Sequence, residues 1–151
     1  MGLQAAGDSG PRSLLTGAGD ALVAQVARTL RLFGLVVREM DDEWPENDRR
    51  EDLRITDDDD PAWIAVAEVK GFARSGPRAG DLITLIGRFS KRFVQDEGRE
   101  PSALWYIVNQ RSLMPPDTRP RGAGVEAGDL HAFEDEGGLI IDTIDLFELA
   151  R

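Results

Sequence analysis

The chain has 151 residues, 41% of them hydrophobic, which suits one domain with a buried core and excludes global disorder. Its net charge of −10 excludes a generally basic nucleic-acid coat protein. The absence of cysteine excludes disulfides, thiolate metal sites and thiol nucleophiles, and a single histidine, His131, excludes His-rich metal sites.

Residues 1–13 are small and polar with Gly and Pro, and read as a flexible N-terminal tail. Residues 14–151 read as a single domain. No basic segment followed by a long apolar run opens the chain, and no apolar run approaches the length of a membrane span. A cytoplasmic protein without membrane contact is the expectation.

Leu14 to Gly19 lead to Asp20, an N-cap candidate. Leu22, Val26, Leu30 and Phe33 recur at helical spacing and predict a helix over 20–33, with Gly34 as the glycine that ends it. Leu35-Val36-Val37 predicts a short strand. From Glu39 to Asp60 twelve acidic residues face three arginines, a local charge of −9. Within that stretch Asp52 to Ile55 alternates as a strand does. Asp57 to Asp60 and Pro61 predict a solvated turn, because adjacent like charges repel within a sheet and proline cannot extend a ladder. The run lacks the spacing of a calcium-binding loop.

Trp63 to Lys70 predicts the central strand. It is apolar on both faces as far as Ala67, then ends in Glu68-Val69-Lys70, with Glu68 and Lys70 on one face. A Gly, Arg and Pro loop covers 71–80. From Asp81 a second helix carries Leu82, Leu85, Ile86, Phe89 and Phe93 on one stripe and ends at Gly98. Arg88, Lys91 and Arg92 share another face. Residues 71–94 carry +4, against −9 for the stretch from Glu39 to Asp60. Ala103 to Val108 predicts a buried strand ending in Asn109-Gln110-Arg111. A loop over 112–124, a helix over 125–135, a strand over 139–142 and a helix from Thr143 follow. That last pattern runs to Arg151, as in an excised domain or a terminal helix just long enough to dock. The order α-β-β-β-α-β-α-β-α predicts an α/β domain with a central mixed sheet flanked by helices.

The chemistry concentrates at Asp52, Glu68 and Lys70. If residues 52–56 and 62–70 form a hairpin, the start of the first strand lies beside the end of the second. Two carboxylates with open positions suit a hard divalent cation such as Mg²⁺, with Mn²⁺ as substitute, and the Val69 carbonyl offers a further oxygen. Lys70 would sit where an attacking water is oriented, while the cation polarises a scissile phosphate. Only Lys70 and Lys91 are lysines among 18 basic residues, so an amine at position 70 stands out where arginine is the ordinary choice.

Asp52, the Glu68-x-Lys70 pattern at the end of an apolar strand, and the order of elements from residue 14 to 150 resemble the PD-(D/E)XK nuclease superfamily, the restriction-endonuclease-like fold. The resemblance implies a three-layer domain that hydrolyses phosphodiester bonds of DNA, with RNA left open. It assigns Asp52 and Glu68 to the metal and Lys70 to the attacking water. It makes Gln110, at a strand end, and Asp20, at the start of the first helix, accessory candidates. Arg88, Lys91 and Arg92 become candidates for phosphate contacts. Glu51 stands where the motif has proline, and Leu22 to Val26 hold no acid where many relatives have one. Strong negative charge opposes tight binding to DNA alone, so targeting by another domain or protein partner is expected. The alternative is a catalytically inactive nuclease-fold module that binds a protein or nucleic-acid partner.

Overall fold

The computed structural model describes residues 10–42, 44, 45, 48–120 and 124–151. Of the expected tail, residues 1–9 lie outside the described residues. Residues 10–12 form a turn, and Ser13 opens a short helix, α1 (Ser13–Thr16), with Ser13 and Leu14 buried. Ser13, expected in the tail, is thus part of the packed structure. The next helix, α2 (Gly19–Leu32), has Ala18 as its N-cap, with no capping side chain. Asp20 is in its first turn, where a negative charge suits the helix dipole, rather than at the cap. Phe33 closes the helix and Gly34 follows at φ 90°, the left-handed turn that glycine adopts without strain.

β1 (Val36–Glu39), β2 (Leu53–Asp57) and β3 (Asp60–Gly71) form an antiparallel meander, with Leu53 opposite Ala67 and Ile55 opposite Ala65. The acidic turn is tighter than expected: Asp57 pairs with Asp60, and Asp59 N–H donates to the Asp57 carboxylate at 3.0 Å. Pro61 lies inside β3 instead of outside it. The register shifts between Thr56 and Asp57, so the ladder has no place there for the N–H that proline lacks.

α3 (Ala79–Thr84) continues through a π-helical turn, Leu85–Phe89, into α4 (Ser90–Glu97), which ends at Gly98 with φ 70°. The buried residues Leu85, Phe89 and Phe93 are spaced at four. In a regular helix that spacing drifts by about 40° per step, and the wider π turn reduces the drift. β4 (Ala103–Asn109), α5 (Ala127–Asp135), β5 (Gly138–Asp142) and α6 (Thr143–Ala150) complete the chain. Asp142 caps α6 by accepting from Ile144 N–H at 2.9 Å.

The result is an α/β fold. Among the described residues the sheet has five strands in the order β1-β2-β3-β4-β5, antiparallel as far as β3 and parallel from β3 to β5. Helices cover both faces. Leu22, Val26 and Leu30 of α2 and Leu146 of α6 pack on Leu53, Ile55, Ala65, Ala67 and Ile107. Leu82, Leu85, Phe89, Phe93 and Phe133 pack on Val66, Leu104, Tyr106 and Val108. No described helix is long and apolar enough to cross a membrane.

The end of β3 is pinned from one side. A Cβ at Gly71 would lie 2.6 Å from the Gly17 carbonyl oxygen and 2.8 Å from the Ala18 Cα, both backbone atoms with little freedom to yield. Gly71→Ala is expected to destabilise the fold by about 1–3 kcal/mol in urea unfolding, the usual range for overpacking.

Candidate active site

Asp52 immediately precedes β2, and the pairing of Leu53 with Ala67 carries it to the level of Glu68. At that level the β2 ladder has ended, so the Val69 N–H has no strand partner on this edge. Asp52 supplies one: its Oδ2 accepts from Val69 N–H at 2.8 Å. Strand geometry sends the Val69 carbonyl to the same edge. Asp52 is 3% exposed and Glu68 4%.

Glu68 and Lys70 follow Val66 on the face that packs against α3 and α4, as period 2 requires. Lys70 Nζ lies 3.7 Å from Glu68 Oε2, and its side chain is 37% exposed, so the amine reaches from the buried carboxylate to solvent. The other oxygen, Glu68 Oε1, is buried with no hydrogen-bond partner. A buried, unpaired carboxylate oxygen is costly unless a proton or a cation neutralises it. Burial is the main cause that pushes the Glu68 carboxyl up to about 9. Asp52 adds to it, by its charge and as an acceptor for the protonated carboxyl, while Lys70 and Arg49 pull the other way. Two carboxylates at one spot, one of them unable to ionise unaided, are what a divalent cation would relieve.

Arg49 was not evident in the sequence as a site residue. Its Nη2 donates to Asp52 Oδ1 at 3.1 Å, and its Nε lies 3.7 Å from Asp41 Oδ1. Burial works against its charge, but Glu68, Asp52 and Asp41 outweigh it and raise its pKa. The other two arginines of the acidic stretch brace the site. Arg50 grips Asp96 of α4 through Nε at 2.8 Å and Nη2 at 3.0 Å, and stacks on Trp44. Arg54 Nε donates to Glu51 Oε2 at 2.8 Å, its Nη1 to Glu97 at 3.1 Å, and its guanidinium lies over Phe93. Glu51, at the position of the motif's proline, is thus a fully buried partner of Arg54.

The remaining candidates divide. Asp20 lines a cavity of about 260 Å³ together with Val23, Ala24, Glu39, Asp41 and Asp52, so the first helix does bring an acid to the Asp52 side of the site. Gln110 is committed elsewhere: its Nε2 donates to the Pro120 carbonyl and to Asp142 Oδ2, each at 3.0 Å, and its Oε1 accepts from Arg111. Arg92 is held by Asp48 at 2.8 Å, Arg88 lies over Phe89, and Lys91 is exposed. His131 is exposed on α5. Among the described residues no group of three or more His, Asp or Glu side chains converges on a metal position. Two carboxylates, a backbone carbonyl and water still satisfy Mg²⁺, which keeps several waters. Comparison with models of protein families, with curated proteins and with solved structures yields no match.

Proposed function

We propose that the chain is a restriction-endonuclease-like domain that hydrolyses phosphodiester bonds of DNA, with RNA as the second candidate polymer, using Mg²⁺ or Mn²⁺. The observation that carries this reading is the buried, unpaired Glu68 Oε1 beside Asp52, with Lys70 on the same face. Asp52 and Glu68 would hold the cation, with the Val69 carbonyl as a further ligand. When bound, the cation supplies Lewis-acid polarisation of the scissile phosphate and a lower pKa for water. Lys70 keeps its amine at the exposed rim, where it would orient the attacking water. The net charge of −10 weakens self-sufficient DNA binding, so another domain or partner does the targeting. The test is cleavage of plasmid and single-stranded DNA with and without Mg²⁺. No cleavage of either by wild type under any divalent ion, or equal cleavage by Asp52→Ala, overturns it.

Lys70→Arg is expected to slow single-turnover cleavage by about 10²-fold, nearly as far as Lys70→Ala. Arginine keeps the charge but is bulkier, presents its donors as a planar fork and does not release a proton near neutral pH. A Lys70→Arg rate within a few-fold of wild type reduces Lys70 to a charge beside Glu68.

One observation favours a second reading, a nuclease-fold module without catalysis that binds a protein or nucleic-acid partner. Arg49 already neutralises Asp52 from within the chain. A module of that kind binds no divalent cation at Asp52 and Glu68.

A further inference from the structure

Asp52 has two carboxylate oxygens, and the fold uses both. Oδ2 is fixed by the Val69 N–H, a backbone contact that holds as long as β3 does. Oδ1 is held by a side chain instead, with Arg49 Nη2 on it at 3.1 Å, and is the oxygen whose donor can move away. A divalent cation on Oδ1 and a guanidinium at hydrogen-bond distance from the same oxygen repel each other at short range.

Arg49 is also imperfectly held. Its Nε is buried without a hydrogen-bond partner, and its contact to Asp41 is an ion pair at 3.7 Å, beyond hydrogen-bond length. By contrast, Arg50 and Arg54 each make hydrogen bonds at 2.8 Å and are 5% and 6% exposed, whereas the Arg49 side chain is 41% exposed. Next to it lies a cavity of about 370 Å³ lined by Asp20, Asp41, Trp44, Pro45, Arg49 and Arg50, room into which the side chain can swing.

Resting on the metal-site reading above, we propose that Arg49 is an internal counter-ion of the Asp52–Glu68 pair that competes with the divalent cation for Asp52 Oδ1. In the metal-free protein it neutralises the pair. Cation entry requires the guanidinium to leave Asp52, toward the adjoining cavity. Three residues before the metal ligand, the chain thus carries a charge that weakens cation affinity and lets the fold form without the metal.

The test is titration calorimetry with Mn²⁺ alone at low ionic strength, on the full chain as wild type, Arg49→Gln, Arg49→Lys and Asp52→Asn. Arg49→Gln is expected to tighten Mn²⁺ binding by about tenfold, the scale of one charge-assisted contact removed from competition. Arg49→Lys should fall between it and wild type, since an ammonium on a shorter stem keeps the charge but not the fork. Asp52→Asn should lose binding. Thermal melting gives a second readout of opposite sign: Arg49→Gln melts below wild type without metal and gains more from saturating Mn²⁺. Equal affinities in wild type and Arg49→Gln, or weaker binding by Arg49→Gln, overturn the counter-ion role and leave the metal reading standing. No binding to any of the proteins overturns the metal reading, and this proposal falls with it.

Discussion

Glu68→Gln is expected to lower single-turnover cleavage at saturating Mg²⁺ by at least about 10³-fold, the loss of several kcal/mol of transition-state stabilisation. The amide keeps the shape of the side chain and cannot supply a charged ligand. The same variant has a second, activity-independent signature. In the metal-free fold the Glu68 carboxyl is raised from its ordinary 4.5 to about 9, first by burial and then by Asp52. Between those two values the folded state binds more protons than the unfolded state. The stability contributed by protonated Glu68 is therefore complete below about pH 4.5 and is lost as pH rises through about 9. Glutamine has no such titration. Urea unfolding without metal should show wild type losing ground to Glu68→Gln as pH rises from 5 to 9, by at most about 1.4 kcal/mol per pH unit. Parallel pH profiles for the two proteins contradict the raised carboxyl, and full cleavage by Glu68→Gln places the activity elsewhere.

Arg54→Met is expected to destabilise the fold by about 3–5 kcal/mol, the usual result of stranding one member of a buried ion pair. Glu51 is fully buried, and Arg54, 6% exposed, meets both of its oxygens, at 2.8 Å and 3.4 Å. Removing only the guanidinium leaves a carboxylate without its partner. Replacing both, as Glu51→Leu with Arg54→Met, removes the stranded charge and should recover most of the loss, because apolar groups of similar size substitute well for buried pairs. Denaturant unfolding of wild type, the single variant and the double variant measures the cycle. A single variant within about 1 kcal/mol of wild type would show that Glu51 is not held by Arg54.

What the sequence made legible follows its periodicities. The apolar spacing of Leu22, Val26 and Leu30 predicts α2 to within a residue at each end, and the two-faced run from Trp63 predicts β3 as a central strand. Asp52, Glu68 and Lys70 could be placed together because a hairpin converts sequence spacing into adjacency. The ion pairs that brace the site have no such period. Arg50 and Asp96 are 46 residues apart, and nothing local links them. Arg49 was hidden for the opposite reason: in a stretch of twelve acids and three arginines, any arginine reads as surface charge balance. Arg119 was read only as part of a loop. It is 4% exposed, and it ties the carbonyls of Ser112 and Met114 and the side chain of Asn109, all within ten residues of it, to the distant carbonyl of Leu15. Carbonyl acceptors carry no side-chain signature. Gln110 turned toward Asp142 because β5 lies beside β4, a neighbour that the end of one strand does not announce.

The spatial order of the strands repeats their order along the chain, and this bears on how the domain is made. Among the described residues no strand is inserted between two that are consecutive in the chain. Each strand pairs with the one before it in the chain, by antiparallel returns as far as β3 and by longer parallel crossovers through helices from β3 to β5. The second hairpin is complete at Gly71. The two strands that carry Asp52 to Glu68 are consecutive in the chain, so no later segment has to intervene for them to pair. Asp96 and Glu97 of α4, which clamp the arginines around the carboxylate pair, come later in the chain. The cations close to the pair in sequence are Arg49, Arg50 and Arg54 around Asp52 and Lys70 beside Glu68. Synthesis from the N-terminus thus makes the carboxylate pair first and its outer braces afterwards.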